Sequence, residues 1–152
     1  MSEKEQGMIL KLNVECVSWY FLEKPCIRVI EIHDHASLYD LHEAIQDAVD
    51  FDHDHPFGFY VANSASTYAK KRWIGSNEGW ERAEGKMMDT ELKSIYPLGR
   101  QKLYYLFDFG DNWLFEIRKA RGAKKPEPGV TYPRVIESVG PDPEQYPVYE
   151  DG

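Results

Sequence analysis

A chain of 152 residues with 42% hydrophobic and 14% aromatic side chains lies outside disordered composition, and at this length folding hides roughly 68–70% of the unfolded surface, enough for an unaided core. Charge breaks its apolar runs well short of the roughly 18 residues that a membrane span needs. Two cysteines form no CxxC pair or disulfide framework, and the first seven residues hold no apolar leader, so a single domain in the reducing cytoplasm is expected, with no membrane partner. The net charge of −8 is concentrated: residues 1–60 carry four Lys/Arg against 12 Asp/Glu, while the remainder balances at 14 of each. No cation falls between Arg28 and Lys70, an interval holding eight acids and all five histidines, and such a field repels nucleic acid locally and attracts cations.

Residues 1–7 read as a disordered tail, and a single domain is expected over 8–136. MILKLNVECV alternates Met8, Leu10, Leu12, Val14 and Cys16 against a more polar face, the period of a strand. CIRVIEI follows as a β-branched second strand, and antiparallel pairing with its neighbour is the expected arrangement. A turn centred near Glu23 and Lys24 would leave Cys16 and Cys26 out of register, so both are expected as buried thiols. Ser37 can cap a helix, with Asp40 in its first turn, and Leu38, Leu41, Ile45, Ala48 and Val49 then share one face. FGFYV, from Phe57 to Val61, is a third strand. Asn63 to Lys86 suggests a loop or irregular hairpin anchored by Trp73 and Trp80, and DTELKSIY, Asp89 to Tyr96, a short helix closed by Pro97. Residues 137–152, rich in Pro and acid with no cation after Arg134, are expected as an extended tail.

LYYLFDFGDNWLFEI, Leu103 to Ile117, places Leu103, Tyr105 and Phe107 on one face and Trp113, Phe115 and Ile117 on another, two strands about a turn. Gly110 and Asn112 tolerate positive φ and Asp108 and Asp111 favour turns, so both acids are expected to shape the bend. The tripeptide DFG also occurs in kinases, but no Gly-rich phosphate loop or HRD loop accompanies it here. The fold expected is α+β, a mostly antiparallel sheet packed against one principal helix, beginning strand-strand-helix-strand, with a later DFGD hairpin.

YLFDFGDNWLFEI resembles the YDFGDxWxHxI segment of the plasmid pRiA4b ORF-3-like family, and SLYDLHEAIQDAVDFDHDH is similar to its LxxLHxxIQxxFxWxxxHLxxF segment. With the hairpin in front, the resemblance covers residues 8–140. His42, His55, Asp108, Gly110, Asp111 and Trp113 map onto the pattern, whereas Ile27, Phe51 and Phe115 replace an aromatic, a Trp and a His, and GPDPEQYP stands where the family has PPEDCGG. The resemblance implies a fold and a plasmid or mobile-element context without an established activity.

Three functions compete. The first is a non-catalytic interaction module with a protein partner, since no GxSxG, P-loop, HExxH or Rossmann pattern is present. The second is a metal-dependent hydrolase-like enzyme in which Asp52, His53 and His55 hold a divalent cation. Two HDH triplets, at residues 33–35 and 53–55, flank the helix, and its length of roughly 18 Å keeps them from sharing one metal. No other cofactor is expected. The third is nucleic-acid binding by Arg118, Lys119, Arg121, Lys124 and Lys125, five cations within eight residues, a reading that the overall negative charge disfavours. At the border of the helix stripe His42 is expected to pack.

Overall fold

The computed structural model describes residues 7–17, 25–51, 57–66, 68–76, 87–107 and 113–143. Its elements are β1 (Ile9–Cys16), β2 (Ile27–His33), α1 (Leu38–Val49), β3 (Phe57–Ala62), β4 (Arg72–Ser76), β5 (Lys102–Phe107), β6 (Trp113–Lys119) and β7 (Arg134–Val139). The strands form one sheet of order β4-β3-β5-β6-β1-β2-β7, and every neighbouring pair is antiparallel. The chain thus has the α+β architecture expected, one main helix on a sheet that begins strand-strand-helix-strand.

Period-two burial sets the core. Leu10, Leu12 and Val14 of β1, Ile30 and Ile32 of β2 and Phe57, Phe59 and Val61 of β3 all enter one cluster with Leu38, Leu41, Ile45 and Val49 of α1. Each such aliphatic side chain contributes about 1.5–3 kcal/mol when fully removed from water. Leu103, Tyr105 and Phe107 join the same cluster as Trp113, Phe115 and Ile117. The two sets were expected on different faces; pairing Leu103 with Ile117 and Phe107 with Trp113 puts them side by side under α1, because directly opposed residues of an antiparallel pair share a face. The residues joining β5 to β6, 108–112, lie outside the described residues.

The helix begins where the sequence says it should. Ser37 accepts from the Asp40 backbone N–H at 3.1 Å and the Asp40 carboxylate accepts from the Ser37 N–H at 2.9 Å, a reciprocal capping box. Residues 89–96 do not form the short helix expected. Backbone bonds from Leu92 to Ala36, from Lys93 to Asp34 and from Leu38 to Thr90 tie the segment to the start of α1, leaving a single 3₁₀ turn at Leu92–Ser94. Of the loop or irregular hairpin expected over 63–86, Arg72–Ser76 forms β4, which pairs with β3 through a bulge between Phe59 and Tyr60; Trp80 lies outside the described residues. Trp73 is not a core anchor: it is 47% exposed and leans on Tyr60 across the sheet's second face, ring centroids 5.0 Å apart.

β7 is a strand that the sequence did not announce. Five of its six residues are exposed, and it is secured by its ladder to β2 and by polar contacts. Arg28, buried on β2, donates to the Ala48 and Val139 carbonyls and pairs with Asp142 at 2.7 Å, so one guanidinium joins the end of α1 to the end of β7. Glu31 accepts from Arg134 and Lys124, each at 2.7 Å. The cysteine register also differs from expectation. Glu15 pairs with Ile27 and the Cys16 N–H donates to the Cys26 carbonyl at 3.0 Å, so the two are cross-strand neighbours, both buried.

Candidate functional site

Among the residues that carry the family resemblance, His42 and Trp113 are core elements. His42 is 2% exposed; its ring stacks on Phe57 with centroids 3.5 Å apart and its Nδ1 meets the Tyr105 hydroxyl. Gln46 Nε2 donates to the same oxygen at 3.0 Å. Burial pushes the Tyr105 phenol well above its ordinary 10, a rise that the Gln46 hydrogen bond moderates and nearby Glu43 reinforces. The hydroxyl therefore keeps its proton and can donate it to His42 Nδ1, which leaves the ring hydrogen on Nε2. Trp113 is fully buried, edge-on to Phe51 at 5.2 Å. His55, Asp108, Gly110 and Asp111 lie outside the described residues, as do all three metal candidates, Asp52, His53 and His55.

Of the first HDH triplet, His33 and His35 stand with ring centroids 4.9 Å apart and line a cavity of about 430 Å³ with Asp40, Glu43, Asp47 and Tyr132. Among the described residues no group of three or more His, Cys, Asp or Glu is placed to hold a metal ion.

The five candidate cations of the 118–125 stretch separate. Lys124 turns back as a bridge to Ile9 and is engaged by Glu31, whose hydrogen bond raises the Lys124 ammonium value above the ordinary 10.5. Burial alone would push the Glu31 carboxyl up, but the hydrogen bonds and charges of Lys124 and Arg134 outweigh it and hold the group below 4.5. Lys125 is exposed beyond that bridge. Arg118, Lys119 and Arg121 instead meet Arg100 and Lys102 around an open groove of about 770 Å³. Among the twelve described residues that line the groove, five are cations and none is an acid.

The register of β5 on β6 builds this groove: Leu103 opposite Ile117 brings Lys102 level with Arg118, and the turn at Gly99, whose φ of 65° suits glycine, carries Arg100 alongside. Glu116, with its side chain 8% exposed, lies behind and pairs with Arg118 at 2.9 Å and Lys102 at 3.5 Å; Arg118 also reaches Glu15 at 3.2 Å. Lys119 donates to the Ala120 and Gly122 carbonyls. Arg100 and Arg121 are exposed and make no ion pair among the described residues. Sequence reading missed Arg100 and Lys102, because their nearness to Arg118 and Arg121 exists only once β5 and β6 pair. Two cations flanking the first of two paired strands were the available signal.

The architecture is that of an α+β domain whose antiparallel sheet is covered on one face by one main helix and carries a cationic groove at one end of its β5–β6 pair. The chain belongs to the family of plasmid pRiA4b ORF-3-like proteins, whose sequence model matches residues 9–145. Its fold is similar to the crystal structure of MM3350, a protein of unknown function from Methanosarcina mazei Go1, with a TM-score of 0.66 and 22% identity over 86% of this chain and 68% of that one. No curated protein matches the chain in sequence. Two departures from the family pattern touch one another: Phe51 and Phe115 pack with centroids 6.3 Å apart, so an apolar contact stands where the pattern has a Trp and a His.

Proposed function

We propose that the chain is a non-catalytic binding module of plasmid or mobile-element type, and that its ligand is an anionic polymer received by the groove between residues 96–102 and 117–121. One observation carries the reading: five cations converge on an open concavity that no acid lines among the described residues. The motif histidine supports the non-catalytic half, since His42 is sealed on the buried face of α1 and spends Nδ1 on Tyr105. The DFGD residues are assigned to the turn joining β5 to β6, which would fix the register that brings Lys102 to Arg118. The domain proper spans 8–136, with residues 1–7 and 137–152 as flanking segments, β7 running from the one into the other.

Thermal melting with polyphosphate at low salt tests the reading. Anything that binds only the folded chain raises its melting point, by about 2.7 kcal/mol of stability at a hundredfold excess over Kd. The rise should be present in the natural chain and lost in Arg100→Glu with Arg121→Glu, which removes two exposed cations without touching the core. Equal melting with and without polyanion would overturn it.

A further inference from the structure

The groove's shape and the placement of charge narrow the ligand class, and the inference rests on the binding reading just given. We infer that the groove takes the phosphodiester backbone of single-stranded nucleic acid. Arg100, Lys102, Arg118, Lys119 and Arg121 all line the groove, and a repeating backbone charge is met by several cations in one groove. A compact di- or triphosphate group is instead gripped by backbone N–H groups of a Gly-rich loop or helix start, and the described lining of the groove contains no helix. Tyr96, Pro97 and Leu98 line the same groove, apolar surface against which sugars and bases can rest, while guanidinium planes offer stacking faces.

Duplex DNA fits less well. It is read by a helix or ribbon that projects into its grooves. Here the cations line a concavity, and α1 carries Asp40, Glu43 and Asp47 toward the acidic cavity. The acidic balance of the whole chain does not forbid the interaction, since the net charge of −8 arises within the first 60 residues while the remainder balances, and the field that matters is local. The sequence pointed to Lys124, but its engagement with Glu31 and Glu127 takes it out of the proposed footprint.

Fluorescence anisotropy with a labelled twelve-nucleotide oligo-dT and its oligo-U counterpart tests the inference and distinguishes a DNA from an RNA source. With four phosphates neutralised, the slope of log affinity on log salt is about −2.8, so affinity should fall roughly 50-fold between 50 and 200 mM salt. Arg100→Glu with Arg121→Glu should weaken binding at least tenfold at an unchanged melting temperature, and Lys125→Glu should leave it within about twofold. A duplex of the same length that binds more tightly, or a double variant that binds like the natural chain, overturns the inference. Polyglutamate of matched charge that competes as well as the oligonucleotide removes the nucleic-acid assignment and leaves the anion-binding module standing. Failure of oligonucleotide, polyglutamate and polyphosphate alike at 50 mM salt removes both.

Discussion

The Tyr105 hydroxyl is the polar centre of an apolar layer. It receives a hydrogen bond from Gln46 and meets His42 Nδ1, and those three side chains are almost fully buried. Buried polar groups are costly when a partner is lost, about 1–3 kcal/mol. Tyr105→Phe should therefore lower the unfolding free energy by that amount, read as a lower denaturant midpoint at an unchanged m-value, and His42→Phe, which keeps the stack on Phe57, should leave oligonucleotide binding intact. Indifference of stability to the loss of the hydroxyl would refute this account. The position of His42 at the edge of the helical stripe was readable from its spacing. Its partner was not, because Tyr105 lies 63 residues away and reaches His42 only through the β3-β5-β6 order of the sheet. The basic stretch divides for a similar reason: β6 ends at Lys119 and the chain doubles back, so Lys124 faces β2's Glu31 while Arg121 stays with the groove.

Among the elements, β7 shows how a strand can be held without side-chain burial. Its exposed residues offered no alternation to read, and the five-residue β4 offered little more, whereas the strands that send apolar side chains into the core at every second position were legible in β1, β2, β3, β5 and β6. What secures β7 is a charge clamp, and that makes its contribution depend on pH. The folded Glu31 carboxyl lies below its ordinary 4.5, so its pairing with Arg134 and Lys124 contributes fully above that value and is lost as pH falls through the depressed one. Glu31→Gln should lower the melting temperature at pH 7, and the gap to the natural chain should narrow as the pH falls below the ordinary 4.5 and through the depressed folded value. A gap that does not narrow in acid would assign the effect to packing. Just past β7, Gly140 adopts a φ of 82° and a Cβ there would lie 1.7 Å from the Pro25 carbonyl oxygen. Gly140→Ala should cost about 1–3 kcal/mol and raise amide exchange in β7 before β1. Uniform exchange across the sheet would contradict a local closure.

At the scale of the molecule, the sheet order sends chain neighbours to distant places. β1 and β2 share its right half with β6, and the last strand returns to cover β2. A chain ended at Pro133 would bare the β2 edge and strip Arg28 of Val139 and Asp142, its acceptors at the strand end. Uncapped apolar edges pair with one another, so this truncation should scatter light as oligomers where the full chain does not; a monodisperse product of unchanged melting would show that β7 is dispensable. The β1–β2 pair carries one more consequence. Cys16 and Cys26 sit side by side beneath the helix layer, burial raises the Cys26 thiol with Asp142 adding to the rise and Arg28 opposing it, and only the thiolate reacts readily with alkylating reagents. The natural chain therefore holds its own clock: iodoacetamide should mark these sulfurs no faster than the sheet parts, so alkylation timed by mass spectrometry reads the rate at which the centre of the fold breathes.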